Sequence, residues 1–172
     1  MDSHDRFDPS RLHDDPTPVD DLLLVGGDEG LVGVYTTGHR RGPAVDPEWC
    51  RDAAPFAEAR RQLDAYFGSE LEDFDLALAP SGTAWQLRVW DELQEIPYGG
   101  TSTYQEIAAR VFAAGAARAV GHANGRNPLS VVVPCHRVVG ANGALTGYGG
   151  GLERKRWLLD HERAMSSPRR GG

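Results

Sequence analysis

Cysteine is scarce in this chain: 172 residues hold two, Cys50 and Cys135, and no Cys-x-x-Cys pair. Thiols so few and so far apart make neither a disulfide framework nor a cysteine-based zinc site, and they fit a reducing compartment. His4, His13 and His39 show no paired ligand spacing with one another or with Cys50, so no metal and no cofactor is expected. Long apolar runs are missing too, none approaching the ~18 residues of a membrane span. The opening Met1-Asp2-Ser3-His4-Asp5-Arg6 lacks the basic start and apolar centre of a secretory leader. A cytoplasmic protein with no membrane partner is the expectation.

Positive charge is also in deficit, 18 Lys and Arg against 25 Asp and Glu, a net charge of −7. Phosphate binding is driven by Lys and Arg, so the total argues at first against a nucleic-acid partner. The distribution reverses this. Residues 1–98 carry 21 acidic and 8 basic side chains, whereas residues 99–172 carry 4 acidic and 10 basic. An acidic protein of this kind can still present an electropositive face.

What is present is enough apolar residue, 40%, for one or two small domains with a real core. Residues 1–20 are rich in Asp, Pro, His and Ser, cannot bury enough surface to offset the entropy of ordering, and are expected to be a disordered tail. Residues 21–80 have an α/β pattern. Leu22–Val25 and Leu31–Tyr35 flank a glycine-bearing turn and predict a hairpin. Pro55–Gly68 predicts a helix with Phe56, Ala59, Leu63 and Phe67 on one face, and Phe74–Leu78 a short strand. Pro80-Ser81-Gly82 reads as a linker.

Residues 81–165 turn helical. Thr83 is placed to cap a helix bearing Trp85, Val89, Trp90, Leu93 and Ile96. Ser102 or Thr103 can cap a second helix that carries Glu106, Ile107, Ala108, Val111 and Phe112, broken by Gly115. A short helix, Ala116–Ala123, follows at once, and a last one, Leu152–Ala164, buries Trp157, Leu158 and Leu159; residues 166–172 are expected to be a frayed, disordered tail. The paired short helices outline a helix-turn-helix. The second of them is slim, with Ala117, Ala119 and Gly121 between the projecting Arg118 and His122. Such a helix either packs closely on a neighbour or enters a minor groove only ~6 Å wide.

The densest chemistry lies at Val131-Val132-Val133-Pro134-Cys135-His136-Arg137-Val138-Val139. Three β-branched residues predict a buried strand, and Pro134, with no N–H to donate, ends it and presents the thiol. Cysteine is a strong nucleophile only as the thiolate, which a neighbouring imidazole can generate directly or through a water.

From Asn127-Pro128 through Pro134-Cys135-His136-Arg137-Val138-Val139-Gly140 to Tyr148-Gly149-Gly150-Gly151, the chain resembles the active-site segment of the O6-alkylguanine-DNA alkyltransferases. The resemblance is strong over residues 83–162 and loose over the first 80. It implies an α/β N-terminal domain of ribonuclease-H-like topology on an all-α C-terminal domain with a helix-turn-helix. It also implies direct-reversal DNA repair: irreversible, one-turnover transfer of an alkyl group from O6-alkylguanine, with O4-alkylthymine a second substrate, in double-stranded DNA to Cys135. By the same resemblance a water links Cys135 to His136, which Glu162 orients; Asn127, a residue type that commonly bonds turns, is expected to hold the turn that carries Cys135. Tyr104 crowds the target phosphate and bonds the flipped guanine, the carbonyls of Cys135 and Val138 accept its amine, and Tyr148, Gly149 and Lys155 lie near the base. Ala117, Arg118, Ala119 and Gly121 look like the family's recognition helix; a guanidinium stacks on bases, so Arg118 is expected to fill the space the base leaves, and Thr103 and Arg126 are expected on the DNA surface. A monomer is implied, with cooperation along DNA left open. Some members carry zinc in the N-terminal domain, and some have serine where Gly149 stands, which leaves the pocket size open.

Three other readings compete. A non-catalytic lesion binder would lack the cysteine. A cysteine hydrolase would release its adduct and usually draws Cys and His from distant parts of a chain. A helix-turn-helix regulator would read bases in the major groove and usually dimerise, which so slim a helix does not favour.

Overall fold

The computed structural model of the chain describes residues 11–44 and 47–166. Of the expected disordered tails, residues 1–10 and 167–172 lie outside the described residues; residues 11–20 and Ser166 depart from that expectation. The glycine-bearing turn makes a hairpin, with β2 (Leu22–Gly27) and β3 (Gly30–Thr36) antiparallel and Leu22, Leu24 and Val34 fully buried. The hairpin leaves the other edge of β2 open, and β1 (Arg11–Asp15) takes it, with Asp15 opposite Leu22. Main-chain pairing orders this segment where apolar content could not. Asp15 is buried and accepts from Arg60 Nε at 3.2 Å. β4 (Cys50–Arg51) runs parallel to β1, so the sheet order is β3-β2-β1-β4.

A 3₁₀ turn at Ala54–Phe56 leads into α1 (Ala57–Phe67), which buries Ala59, Leu63 and Tyr66. The strand expected at Phe74–Leu78 does not form. Only Leu78 bridges Leu31, with the Leu31 N–H on Ala77 O and the Ala79 N–H on Leu31 O. The outer edge of β3 is shared. A register shift between Val25 and Gly26 skips Val32, so the main-chain groups of Leu31 and Val34 both point to the outer edge while their side chains stay buried. Val34 donates to Pro128 O at 2.7 Å and accepts from the Ser130 N–H at 3.1 Å. The N-terminal sheet therefore holds the segment leading to Cys135.

In the C-terminal half, α2 (Ala84–Leu93) begins in a capping box of Thr83 and Gln86 and buries Val89, Trp90 and Leu93. α3 (Tyr104–Arg110) begins in a second box, of Thr103 and Glu106. It ends before the expected Val111 and Phe112; Phe112 sits at φ 58° and is 95% exposed instead of joining a buried face. α4 (Ala117–Gly125) is fastened to α2 by indole donors, Trp90 Nε1 to Ala123 O at 2.8 Å and Trp85 Nε1 to Ala119 O at 3.2 Å. This half is not wholly helical, because β5 (Ser102–Thr103) pairs in parallel with β6 (Val138–Val139), tying the start of α3 to the residues after the cysteine. α5 (Leu152–Ser166) runs two residues past the expected end and buries Lys155, Leu158, Leu159 and Glu162. No helix among the described residues is long and apolar enough to cross a membrane.

Candidate active site around Cys135

The strand expected before the cysteine is a turn, and the strand follows it at Val138–Val139. Short-range bonds replace a ladder: Val133 donates to Leu129 O at 2.9 Å and Val132 to Ser130 O at 2.8 Å. Asn127 braces the turn, its Nδ2 donating to Val133 O at 2.9 Å and its Oδ1 accepting from the Leu129 N–H at 3.0 Å. Val131 is held at φ 71°, a conformation that costs a β-branched residue about 1–3 kcal/mol and persists only where packing over-determines it. The thiol is not openly presented: Cys135, in a 3₁₀ turn over Cys135–Arg137, is 4% exposed.

Behind it lies a buried polar hub built on α5. Glu162 Oε1 accepts from His136 Nε2 at 2.7 Å, Tyr66 Oη at 2.7 Å and Arg137 Nη2 at 2.9 Å, and Oε2 accepts from Arg137 Nε at 2.9 Å. Arg137 Nη1 also donates to Ile96 O at 2.7 Å. Glu162 is therefore no solvated carboxylate at a helix end: it, His136 and Tyr66 are all fully buried. Burial works against its charged form, yet His136 and Arg137 outweigh it and hold the carboxyl well below the usual range. A carboxylate can only accept, so His136 donates through Nε2 and its neutral ring has the lone pair on Nδ1, which has no protein partner.

Burial pushes the Cys135 thiol up, with Asn127 and Lys155 opposing, and burial also pushes His136 down against the pull of Glu162. At rest the pair is a neutral thiol beside a neutral imidazole. Lys155, fully buried, donates from Nζ to Val138 O at 2.6 Å and Thr146 O at 2.8 Å, and burial lowers it to about 8. One lone pair of the Val138 carbonyl is thus already engaged, and the Cys135 carbonyl accepts from Asn124 Nδ2 at 3.4 Å.

A cleft of about 600 Å³ has Tyr104, Ala117, Arg118, Gly121, Tyr148 and Gly149 among its walls; Cys135 does not line it, and Tyr148 is the wall residue whose phenol feels the thiol. These expected residues come together, and Arg40 and Arg41 from the N-terminal half join them. Tyr148 is buried, and burial followed by Cys135 keeps its phenol well above its usual range and so protonated. The Tyr104 hydroxyl accepts from Thr146 Oγ1 at 3.1 Å, and a Cβ on Gly121 would lie 3.7 Å from the Tyr104 ring, so the slimness of α4 also makes room for this ring. The Thr103 hydroxyl is occupied in accepting from the Glu106 N–H at 3.1 Å, which caps α3. Arg118, Ala119 and Arg126 are exposed, and Arg126 and Ala119 are not among the cleft residues. Gly149 approaches not an open space but His39, whose Nε2 would stand 2.3 Å from an added Cβ.

Sequence reasoning missed Arg137 and Tyr66. Arg137 left a signal, since a guanidinium inside the apolar run Val131–Val139 must be paired if buried. Tyr66 left none beyond its place on the buried face of α1. Among the described residues no group of three or more His, Cys, Asp or Glu is arranged to hold a metal ion.

Comparison with known proteins gives the family. The family model described as 6-O-methylguanine DNA methyltransferase, DNA binding domain, matches residues 84–164. A methylated-DNA–protein-cysteine methyltransferase of Methanosarcina acetivorans is 50% identical over 146 residues, covering 85% of this chain and 94% of its own. Its namesake from Mycolicibacterium paratuberculosis is 50% identical over 150 residues, covering 87% and 90%. The crystal structure of Mycobacterium tuberculosis OGT in complex with DNA superposes with a TM-score of 0.85 at 44% identity, covering 92% of this chain and 96% of that one. With half of the aligned residues identical to those of two such proteins over 85–87% of this chain and 90–94% of theirs, the chain belongs to the methylated-DNA–protein-cysteine methyltransferases, DNA-repair proteins that move an alkyl group from DNA to a protein cysteine.

Proposed function

We propose that this chain repairs O6-alkylguanine in double-stranded DNA, and O4-alkylthymine as a second substrate, by taking the alkyl group onto Cys135 Sγ. The observation that carries this is the buried thiol beside His136, whose Nε2 is tied to a buried carboxylate at 2.7 Å while Nδ1 stays open. His136 takes the thiol proton through a water as the sulfur lone pair forms the S–C bond. The C–O6 bond breaks, its electron pair goes to the base, and protonation returns neutral guanine. A resting neutral pair keeps an idle thiol from oxidation and ionises it only as it reacts. The thioether offers no route back, so each molecule acts once.

α3, the turn at residues 111–116 and α4 serve as a helix-turn-helix whose slim second helix enters the minor groove. The base swings into the cleft at a cost of a few kcal/mol, least for a badly paired lesion. Arg118 fills the gap, Tyr104 crowds the phosphate and bonds the base, and the Cys135 and Val138 carbonyls take its amine beside Tyr148 and Gly149. Lys155 fixes the Val138 carbonyl, and Arg126 meets phosphate. The sheet order β3-β2-β1-β4, with β1 antiparallel to β2 and parallel to β4, supports a ribonuclease-H-like N-terminal domain over residues 21–80, extended by β1, beside a DNA-binding domain over residues 81–165. The protein acts as a monomer in the cytoplasm.

The test is protein and peptide mass after incubation with a duplex carrying one O6-methylguanine, beside an undamaged duplex and Cys135→Ala. One methyl on Cys135 per molecule, and none on the variant, is expected. Continued turnover, or a methyl carried elsewhere, overturns the assignment.

A further inference from the structure

The catalytic hub is completed from the other half of the chain. Tyr66 belongs to α1, 96 residues before Glu162, and its ring is fully buried among Phe67, Phe74, Tyr98 and His161. Its hydroxyl donates at 2.7 Å to Oε1, the same oxygen that accepts from His136 Nε2. Packing alone would be served by phenylalanine; a buried hydroxyl aimed at a carboxylate already holding His136 and Arg137 calls for another reason.

We propose that Tyr66 is a positioning residue for alkyl transfer: by occupying Glu162 Oε1 from the N-terminal half, it limits the hold of the carboxylate on His136 and keeps the imidazole neutral and facing Cys135 through Nδ1. The inference rests on the relay assigned above to Cys135, His136 and Glu162. Each donor on an oxygen draws off part of its negative charge, so two donors share what one would take alone. Without the phenol, the charge of Glu162 falls more fully on His136 and favours the imidazolium, which cannot accept a proton from the thiol. The other charges facing His136 are Lys155 from α5 and Arg137 from its own turn, both of which oppose its protonation. Tyr98, from the loop after α2, faces Glu162 as well, and its hydroxyl has no protein partner. Tyr66 itself stays protonated throughout, since burial and then Glu162 hold its phenol far above its usual range.

The experiment is the single-turnover rate of transfer from a methylated duplex as a function of pH, for wild type, Tyr66→Phe and Phe67→Leu. Phe67 is the neighbour of Tyr66 on α1, packs on Trp157, and makes no bond to the hub, so its variant reports loosened packing alone. For Tyr66→Phe the acid limb of the profile moves up by about 0.5–1 pH unit, so that on that limb, below both midpoints, the rate falls about 3- to 10-fold, with duplex affinity unchanged. For Phe67→Leu the limb stays in place. Nitrogen chemical shifts of the His136 ring, followed through the same pH range, give the same displacement without reference to rate. An unmoved limb and unmoved ring titration in Tyr66→Phe, whether or not the rate falls, overturn the proposal while wild-type transfer to Cys135 leaves the relay standing. Absence of wild-type transfer overturns both.

Discussion

Replacing Glu162 by glutamine tests the hub at its centre. The side chain keeps its shape, but the carboxylate that accepts four hydrogen bonds, from Tyr66, His136 and twice from Arg137, becomes a group that must donate on one side. Arg137 is then a buried cation whose one counter-charge is gone, with its Nε or Nη2 facing another donor. Breaking a buried pair by removing one partner costs about 3–5 kcal/mol, against a total stability of about 5–15 kcal/mol. For a chain of 172 residues each kcal/mol moves the midpoint by about 2–4 °C, so Glu162→Gln melts about 6–20 °C below wild type. The pH dependence has a definite sign. The carboxyl of Glu162 lies lower in the folded chain than its ordinary 4.5, so its stabilisation is full above about pH 4.5 and is lost as pH falls below it. Wild type loses stability there more steeply than Glu162→Gln, and the two curves converge in acid. Loss of the orienter slows transfer about 10²-fold. Because Glu162 raises His136, the acid limb of the rate moves down in this variant, opposite to Tyr66→Phe. Calorimetry across pH 3–8 with single-turnover kinetics decides the matter. A variant melting within about 2 °C of wild type, or one whose gap to wild type is as wide at pH 3 as at pH 7, refutes the reasoning.

Three further outcomes are expected. Arg118→Ala slows transfer from a paired lesion in duplex DNA about 10- to 100-fold but leaves transfer from a free O6-alkylguanine base unchanged, as compared by protein mass; equal losses on both would remove Arg118 from base extrusion. Lys155 sits near 8 in the folded chain against 10.5 when free, so the unfolded chain binds more protons between those values and stability from this group rises with pH. The rise is about 3 kcal/mol at most by pH 10.5, is absent in Lys155→Met, and is read by urea unfolding at several pH values. Gly149→Ser places a Cβ 2.3 Å from His39 Nε2 and costs about 1–2 kcal/mol unless His39 rotates away; His39→Ala in the same chain restores the loss, and a cycle without coupling between the two contradicts the contact.

Much of the site was legible because its signals are local. Capping boxes at Thr83–Gln86 and Thr103–Glu106 set two helix starts, and Asn127 is braced against its own neighbours. Lys155, Leu158, Leu159 and Glu162 recur at i, i+3, i+4 and i+7, a stripe that puts the lysine and glutamate on the buried face of α5 and could have marked them without any family likeness. Two of the misreadings have a common origin in the edge of a sheet. β1 looked like a tail because its order comes from pairing with β2, and Phe74–Leu78 looked like a strand although β3 divides its outer edge between two partners. Neither pairing leaves a mark in composition or periodicity.

The amino-acid sequence by itself determined the chemistry on offer: one cysteine beside one histidine, a slim basic helix after a capped one, a C-terminal half of positive charge. Tertiary structure decided how that chemistry is set. It turned Val131–Val133 from a strand into a strained turn, buried the thiol in its neutral form, and brought Tyr66 across 96 residues onto the oxygen that holds His136. Caps, periodicity and turn residues act over a few positions and can be read along the chain. Burial and the sharing of one carboxylate depend on which distant surfaces meet, and those exist only once the chain has folded.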